Sequence, residues 1–554
     1  MNKLLKFALA LLSAGLAVAQ HSKIASDLKD AGNNGTVHVI VQFQHPPTDA
    51  HHKKVQDKGG VLHQSLGLIN AAHYSVPASA LAELSNDPEV TFISPDRPVK
   101  AHIDVASTAI NARTVLNNYS LDGTGIAVAV IDSGIRSTAD LKGRIVFQKD
   151  FVGGTGDDLY GHGTHVAGII GGSGLNSQNS SIRYFAGVAQ YVNLVNLRAL
   201  DNNGNGTDSS VIAAIQSAIA LKSKYNIRVI NLSLGRGVFE SYKVDPLCQA
   251  VEQAWKAGIV VVVAAGNNGR DNSMGTSGYA TITAPGNDPY AITVGAMKTM
   301  GTDSRSDDQI ASYSSKGPTL LDHIVKPDLI APGNRIISTA SGTSYLFQNY
   351  PQTQVENKVY LQGGSTASSH NYLQLSGTSM ATPMVSGSVA LLLQKYPRLT
   401  PDQVKARLMK TASKAFPAST IATDPATGIS YVSYYDIFTV GAGYLDILAA
   451  LQSTDAVPSA SAMSPAVTVN PTTGAVSLVA GVWGTNVVWG SNVVWGTNVV
   501  WGTSVLNASN VVWGSNVVWG TAAMQGFNVV WGSNVVWGSS AQNAAESTMA
   551  LGEN

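Results

Sequence analysis

Five apolar runs, Ile126–Ile131, Tyr191–Leu197, Val229–Leu234, Ile259–Ala265 and Ala291–Val294, are separated by stretches of helical character. Runs that are continuous rather than alternating belong to strands buried on both faces. The pattern predicts an α/β fold, a mostly parallel sheet covered by helices on both faces. Ligand sites in such sheets lie outside the carboxyl ends of the strands, so the residues that follow each run are the informative ones.

This region is expected to span 103–452, and other segments flank it. Residues 1–19 place Lys3 and Lys6 before an apolar run ending in Ala17-Val18-Ala19, a small-x-small pattern typical of a cleaved export signal. That run, about a dozen residues, is short for a ~30 Å hydrocarbon core. The reading is a secreted or extracellular protein, with surface association left open. Between 20 and 102, Val37, Val39, Val41 and Phe43 alternate as in a half-buried strand. Asn70–Val76 and Val90–Ile93 read as further strands, and Leu81 and Leu84 share one face of a short helix. This makes a small α+β module with scattered histidines and no constellation that suggests chemistry. The 35 basic and 35 acidic residues balance, against the basic footprint of a nucleic-acid binder. One cysteine, Cys248, excludes a disulfide scaffold and a Cys-cluster metal site, and its helical surroundings give it a core position.

Three segments at predicted strand ends or helix starts carry candidate chemistry. Asp132 follows the first run in Ile131-Asp132-Ser133-Gly134, a rigid position that suits a carboxylate orienting a histidine and equally a capping residue. His162 lies in Gly161-His162-Gly163-Thr164-His165, where small neighbours let backbone approach closely. A metal reading of the His162/His165 pair lacks a completing carboxylate or cysteine at helical spacing. Ser379, in Ser376-Gly377-Thr378-Ser379-Met380-Ala381-Thr382-Pro383, opens an apolar helix. A helix N-terminus favours developing negative charge, as at a nucleophile, though a serine there is also an ordinary cap.

Together, Asp-Ser-Gly, His-Gly-Thr-His and Gly-Thr-Ser-Met-Ala-Thr-Pro, in that order, resemble the subtilisin-like serine peptidases. The resemblance covers roughly residues 103–450. It implies Ser379 as nucleophile, His162 as general base and acid, Asp132 as its orienting carboxylate, and Asn267 in Ala264-Ala265-Gly266-Asn267 as an oxyanion donor. It further implies that the 20–102 module is an inhibitory propeptide, cut near Pro98–His102 by Ser379. Substrate backbone would add as a strand to Ser233-Leu234-Gly235 and Gly204-Asn205-Gly206, the latter also readable as a plain surface turn. Ala264, Ala265 and Gly266 would wall a roomy neutral pocket, suited to cleavage after bulky apolar residues. The partners are protein or peptide substrates and the chain's own propeptide. No cofactor is required and no metal ligand set is assigned. A structural calcium ion is possible without a clear cluster: the loop Gly171–Tyr184 lacks a run of carboxylates, Asp328 reads as a cation ligand or a turn residue, and Asp157 and Asp158 read as an ion site or a solvated loop. An insertion over 343–372 is placed to border the site and narrow its specificity.

A linker (453–480) leads to ten hexads of the type Asn-Val-Val-Trp-Gly-Ser/Thr (481–540), and 541–554 follow. Trp occupies positions 483, 489, 495, 501, 513, 519, 531 and 537, with Asn507 and Gln525 at the two skipped places. An even period keeps every Trp on one side of an extended strand, and short strands stacked as a solenoid are the alternative. Eight uncharged indole repeats suit contact with a cell surface, carbohydrate or other copies, and equally a self-contained core. The expected function is an exported serine endopeptidase. The alternative is a surface or adhesive protein whose functional part is the Trp array.

Overall fold

A computed structural model describes residues 23–25, 28, 35–95, 105–178, 183–424, 427–454, 461–468, 549, 550, 552 and 553, with the backbone at 469, 475–478, 493–495, 511–513 and 517–518. The export signal at 1–19, the junction at 98–102 and most of the hexad array lie outside these residues. The chain divides into two compact units at 1–100 and 101–554.

In the first unit, β1 (Thr36–Phe43), β2 (Val61–Leu66), β3 (Ala71–Pro77) and β4 (Val90–Pro95) form an antiparallel sheet in the order β2-β3-β1-β4. The alternation seen in the sequence buries Val39, Val41 and Phe43 against Tyr74, Val76, Val90 and Ile93. Helices α1 (Asp49–Gln56) and α2 (Leu81–Ser85) complete the unit. The histidines are not all scattered, as expected from sequence. His38, His63 and His73 come from three adjacent strands, and their ring nitrogens lie within 4.8 Å of one another. Strand pairing joins positions that are 25 and 10 residues apart in sequence.

The second unit is built on an eight-stranded sheet. Its members are β5 (Ala127–Asp132), β6 (Ile145–Asp150), β7 (Asn193–Arg198), β8 (Ile227–Leu232), β9 (Val260–Ala264), β10 (Ile292–Lys298), β11 (Gln309–Ile310) and β12 (Leu329–Pro332). The order is β11-β10-β9-β8-β5-β7-β6, with β12 also along β10, and every pairing except β10–β11 is parallel. Each of the five apolar runs became a strand, and β5, β9 and β10 are buried throughout. From β5 the chain runs to the edge strand β6, returns to β7 beside β5, and then winds outward on the other side through β8, β9 and β10, so its direction changes at β5 and a crevice opens at the strands' carboxyl ends.

Helices α3 (His162–Gly171), α4 (Asp208–Tyr225), α5 (Pro246–Lys256), α6 (Thr378–Lys395) and α7 (Pro401–Thr411) pack around this sheet. Helix α6 is buried along nearly its whole length, against β8, β9, β10, β12 and α3. Cys248 is buried on α5, where burial pushes its thiol far above the usual range.

The 343–372 insertion builds a second, antiparallel sheet: β13 (Ile336–Thr339), β14 (Gln354–Glu356) and β15 (Ser368–Leu375), in the order β13-β15-β14. Phe185, Val355, Tyr360 and Tyr372 form its own apolar cluster. Residues 461–468, in the stretch read as linker, pack onto the unit. Val325 N–H donates to Pro465 O (2.8 Å), Val467 N–H to His323 O (2.9 Å), and Ser464 is buried. Small side chains and Val467 let a linker-like composition fill a groove. Beyond it, the backbone of 493–495 runs parallel to 511–513, with Trp495 opposite Trp513.

Asp328 is neither a cation ligand nor a simple turn residue. It is fully buried, 2.7 Å from Lys326 Nζ and 3.2 Å from Lys405 Nζ, and accepts from Ser464 Oγ and Thr293 N–H. Burial pushes its carboxyl up, but the two ammonium charges outweigh that and hold it below the usual carboxylate range. Removing one partner of a buried ion pair strands the other charge, at a cost of about 3–5 kcal/mol. Asp328→Ala is therefore expected to lower unfolding stability by that amount in denaturant titrations. Asp157→Ala, at a half-exposed pair with Arg136, is expected to change stability by less than about 1 kcal/mol.

Candidate active site

Asp132 is the last residue of β5 and is fully buried. His162 is the first residue of α3, and its Nδ1 lies 2.8 Å from Asp132 Oδ1. A carboxylate only accepts, so the imidazole proton sits on Nδ1 and Nε2 keeps its lone pair. Gly163 permits this approach: a Cβ there would fall 2.1 Å from Gly134 O and 3.1 Å from Asp132 Cβ. Burial pushes the His162 pKa down. The Asp132 charge and hydrogen bond, with a further contribution from Asp158, outweigh burial and leave the ring above its ordinary value.

Asp158, which the sequence allows as an ion site or a solvated loop residue, is neither. It is fully buried and accepts from Ser133 Oγ (2.9 Å), Gly161 N–H (2.7 Å), Thr164 N–H (2.7 Å) and Thr164 Oγ (2.6 Å). It thus joins the residue after Asp132 to both flanks of His162. Burial raises its carboxyl pKa, against the pull of those bonds. Asp157, beside it, pairs with Arg136 at 2.7 Å.

His165 does not belong to the same cluster. Its Nε2 lies 3.1 Å from both Ile336 O and Leu373 O, so it ties α3 to β13 and β15. Burial drives its pKa to about 3, which keeps it neutral.

Ser379 is half-buried in the first turn of α6. Pro383, four residues on, has no N–H, so the Ser379 carbonyl lacks its helical donor. Ser233 Oγ fills that place at 2.8 Å, and Ser379 Oγ donates in return to Ser233 O at 3.1 Å. Asn231 Nδ2 holds Ser233 Oγ (3.0 Å) and Ser386 Oγ holds Asn231 Oδ1 (2.8 Å). Ser379 is not hydrogen-bonded to His162 in this rotamer.

Asn267 follows β9. Its Oδ1 accepts from Thr378 N–H (2.9 Å) and Thr378 Oγ (3.1 Å), which leaves the Nδ2 amide without a partner in its own loop. Thr378 Oγ in turn accepts from Gly266 N–H.

One cleft of about 440 Å³ is lined by His162, Ser379, Asn267 and Ser233–Gly235, and also by Gly204–Gly206. His162, Ser379, Asn267 and the two predicted edge segments meet there, and Asp132 stands behind His162. Gly204–Gly206 is a tight turn, with Asp201 accepting from Asn203 and Asn205 N–H, and it also lines the cleft. Ala264 and Ala265 are buried and do not line it; its apolar surface comes from Leu200, Val211, Leu234 and Leu247. The insertion borders the cleft through Tyr160. Tyr345 stacks on that ring at 5.8 Å, and Leu346 N–H donates to Tyr160 O. Apart from the three histidines of the first unit, no group of three or more potential metal ligands occurs among the described residues.

A parallel α/β sheet that brings His162 and Ser379 to one cleft, with Asp132 behind His162, is the arrangement expected of a serine-nucleophile hydrolase. The pattern of the Subtilase family matches residues 123–429, and the chain belongs to that family. It is 37% identical over 403 residues to serine protease AprX of Bacillus subtilis, covering 69% of this chain and 84% of that one. The extracellular serine proteinase of a Thermus species is 37% identical over 353 residues, covering 61% and 70%. Subtilisin E of Bacillus subtilis is 33% identical over 364 residues, covering 65% and 80%. The protein is a serine endopeptidase of the subtilisin type.

Asp158 is buried and does not line the cleft, so its expected role is to position His162. Misplacement of about 1 Å at a reacting group can cost ~10²-fold. Asp158→Ala is expected to lower kcat on a peptide p-nitroanilide by about that factor, with KM little changed. A purely structural role would instead lower the active fraction, which active-site titration measures separately.

Proposed function

We propose that this chain is an exported endopeptidase that cuts peptide bonds through Ser379, His162 and Asp132, with Asn267 as oxyanion donor. The observation that carries the reading is the convergence of His162, Ser379 and Asn267 on one cleft, with His162 held by Asp132 at 2.8 Å. For reaction, Ser379 Oγ exchanges its bond to Ser233 O for one to His162 Nε2; such bonds are commonly unformed before substrate binds. Nε2 takes the hydroxyl proton as Oγ attacks the scissile carbonyl, and returns it to the leaving amine. Asp132 stabilises the imidazolium. The Asn267 amide, aimed by Thr378, and the Ser379 N–H meet the developing oxyanion.

Substrate backbone lies along Ser233–Gly235 and Gly204–Gly206, and the apolar lining favours cleavage after bulky apolar residues. Residues 20–102 act as an intramolecular inhibitor removed by Ser379, and residues 1–19 direct export. The Thermus relative is named as extracellular, which supports that reading. The chemistry calls on no cofactor or metal.

A fluorophosphonate probe is expected to label the mature protein and to leave Ser379→Ala unlabelled, with that variant accumulating as the uncut precursor. Wild-type protein that resists the probe would overturn the mechanism.

The pH dependence follows from His162, which must be neutral to act as base. Its pKa is raised, so activity is lost as pH falls through a value above 6.5. The acid limb of kcat/KM is expected to have its midpoint above 6.5. Asp132→Asn removes the opposing charge while burial persists, so the residual activity, down about 10⁴-fold, is expected to titrate at lower pH.

A further inference from the structure

After Asp455 the sequence carries only two charged residues, Glu546 and Glu553. Glu553 is buried in the second unit. Its Oε1 accepts from Arg270 Nη2 (2.6 Å), from Ser312 N–H (2.9 Å) and from Ser312 Oγ, and its Oε2 lies 3.2 Å from Lys298 Nζ. The backbone is held as closely. Asn334 donates Nδ2 to Glu553 O and accepts Glu553 N–H on Oδ1, both at 2.8 Å. A buried carboxylate persists only where such partners offset its desolvation; here two cations, a hydroxyl and a main-chain amide converge on it. Arg270 is itself fixed by Asp424 (3.1 Å) and Ser312 Oγ (2.7 Å).

The same segment reaches the cleft. Met549 O accepts from Ser376 N–H at 2.8 Å, and Met549 lines the cavity shared by His162, Ser379 and Asn267. Ser376 lies three residues before Ser379. Between these two anchors Gly552 takes φ +65°, and a Cβ there would fall 2.4 Å from Ser376 Oγ and 2.9 Å from Asn334 Oδ1. The segment therefore fits this surface in detail. A main-chain hydrogen bond to the nucleophile loop is the kind an extended peptide substrate makes. It is made at Ser376, outside the two edges, 204–206 and 233–235, along which substrate backbone is proposed to lie.

We infer that the peptidase unit carries a receptor site for an acidic peptide, the segment of its own chain that holds Met549, Gly552 and Glu553, which lies along the leaving-group half of the cleft and competes there with extended substrates. This rests on the proteolytic reading above. Long peptides must displace Met549, whereas substrates ending in a small leaving group need not.

The test uses the full-length chain and two release variants. Glu553→Lys opposes Arg270 and Lys298, and Gly552→Val removes the fit without touching the carboxylate pocket. Each is assayed on an internally quenched peptide extending four residues past the scissile bond and on the matching p-nitroanilide. If the segment is docked about nine-tenths of the time, release lowers KM for the extended peptide roughly tenfold, with the p-nitroanilide unchanged. An unchanged extended peptide, or an equal gain on both substrates, overturns the inference. Independently, a fluorescent peptide of residues 546–553 is titrated against the Glu553→Lys, Ser379→Ala protein. Saturable anisotropy that is lost when the peptide carries Gln for Glu553 supports the site. No binding, while wild-type protein still hydrolyses the p-nitroanilide, refutes the site and leaves the peptidase reading intact. Absence of p-nitroanilide hydrolysis by the wild type refutes that reading instead.

Discussion

The site depends on a helix that has no free face. Helix α6 is covered by four strands of the sheet and by α3, so it can neither slide nor rotate without opening the core. Its first turn carries Ser379, and the reciprocal pair with Ser233 fixes that turn to the end of β8. Pro383 makes the pairing necessary. A helix interior without that proline would satisfy the Ser379 carbonyl internally, and Ser233 Oγ would have no acceptor there. A residue that weakens the helix by one hydrogen bond thereby welds it to the strand beside it.

Buried polar groups set the rest of the geometry. Asp158, Asp328 and His165 are all inside and held by named partners, His165 through Nε2 alone. Asp328 gathers Lys326, Lys405 and Ser464 at the side of the sheet where α7 and the 461–468 segment meet. Asp158 works closer in, on the short path from Asp132 to His162. Its negative charge also supports the raised His162 pKa. Placement and basicity of the same ring therefore share one carboxylate.

What the sequence made legible follows from what burial writes into it. Strands β5, β7, β8, β9 and β10 announced themselves because burial on both faces forces unbroken apolar runs. Strand β6, with Gln148, Lys149 and Asp150 as its second half, sits at the sheet edge and is half exposed, so its composition resembles a loop. Strand β2 (VLHQSL) stayed hidden for the same reason. The motifs marked Asp132, His162 and Ser379, while Asp158 gave no local signal, because its importance lies in joining residues 25 positions upstream to residues three and six downstream. Ala264 and Ala265, expected as pocket walls, are buried at the end of β9 and just past it, and the apolar lining of the cleft comes from Leu200, Val211, Leu234 and Leu247, which are dispersed in sequence.

The position of Glu553 has a consequence for the repeat array. The chain contacts the peptidase unit at 461–468 and again at Met549, Gly552 and Glu553, on either side of the hexad array. Two fixed points in one chain carry a closure entropy that grows only slowly with their separation, and the Glu553 contacts must offset that term for the proposed docking to persist. A competitor that yields to substrate needs such an opposing term. Any interaction of the array that changes the closure entropy would therefore shift the docking equilibrium of the segment beside the cleft.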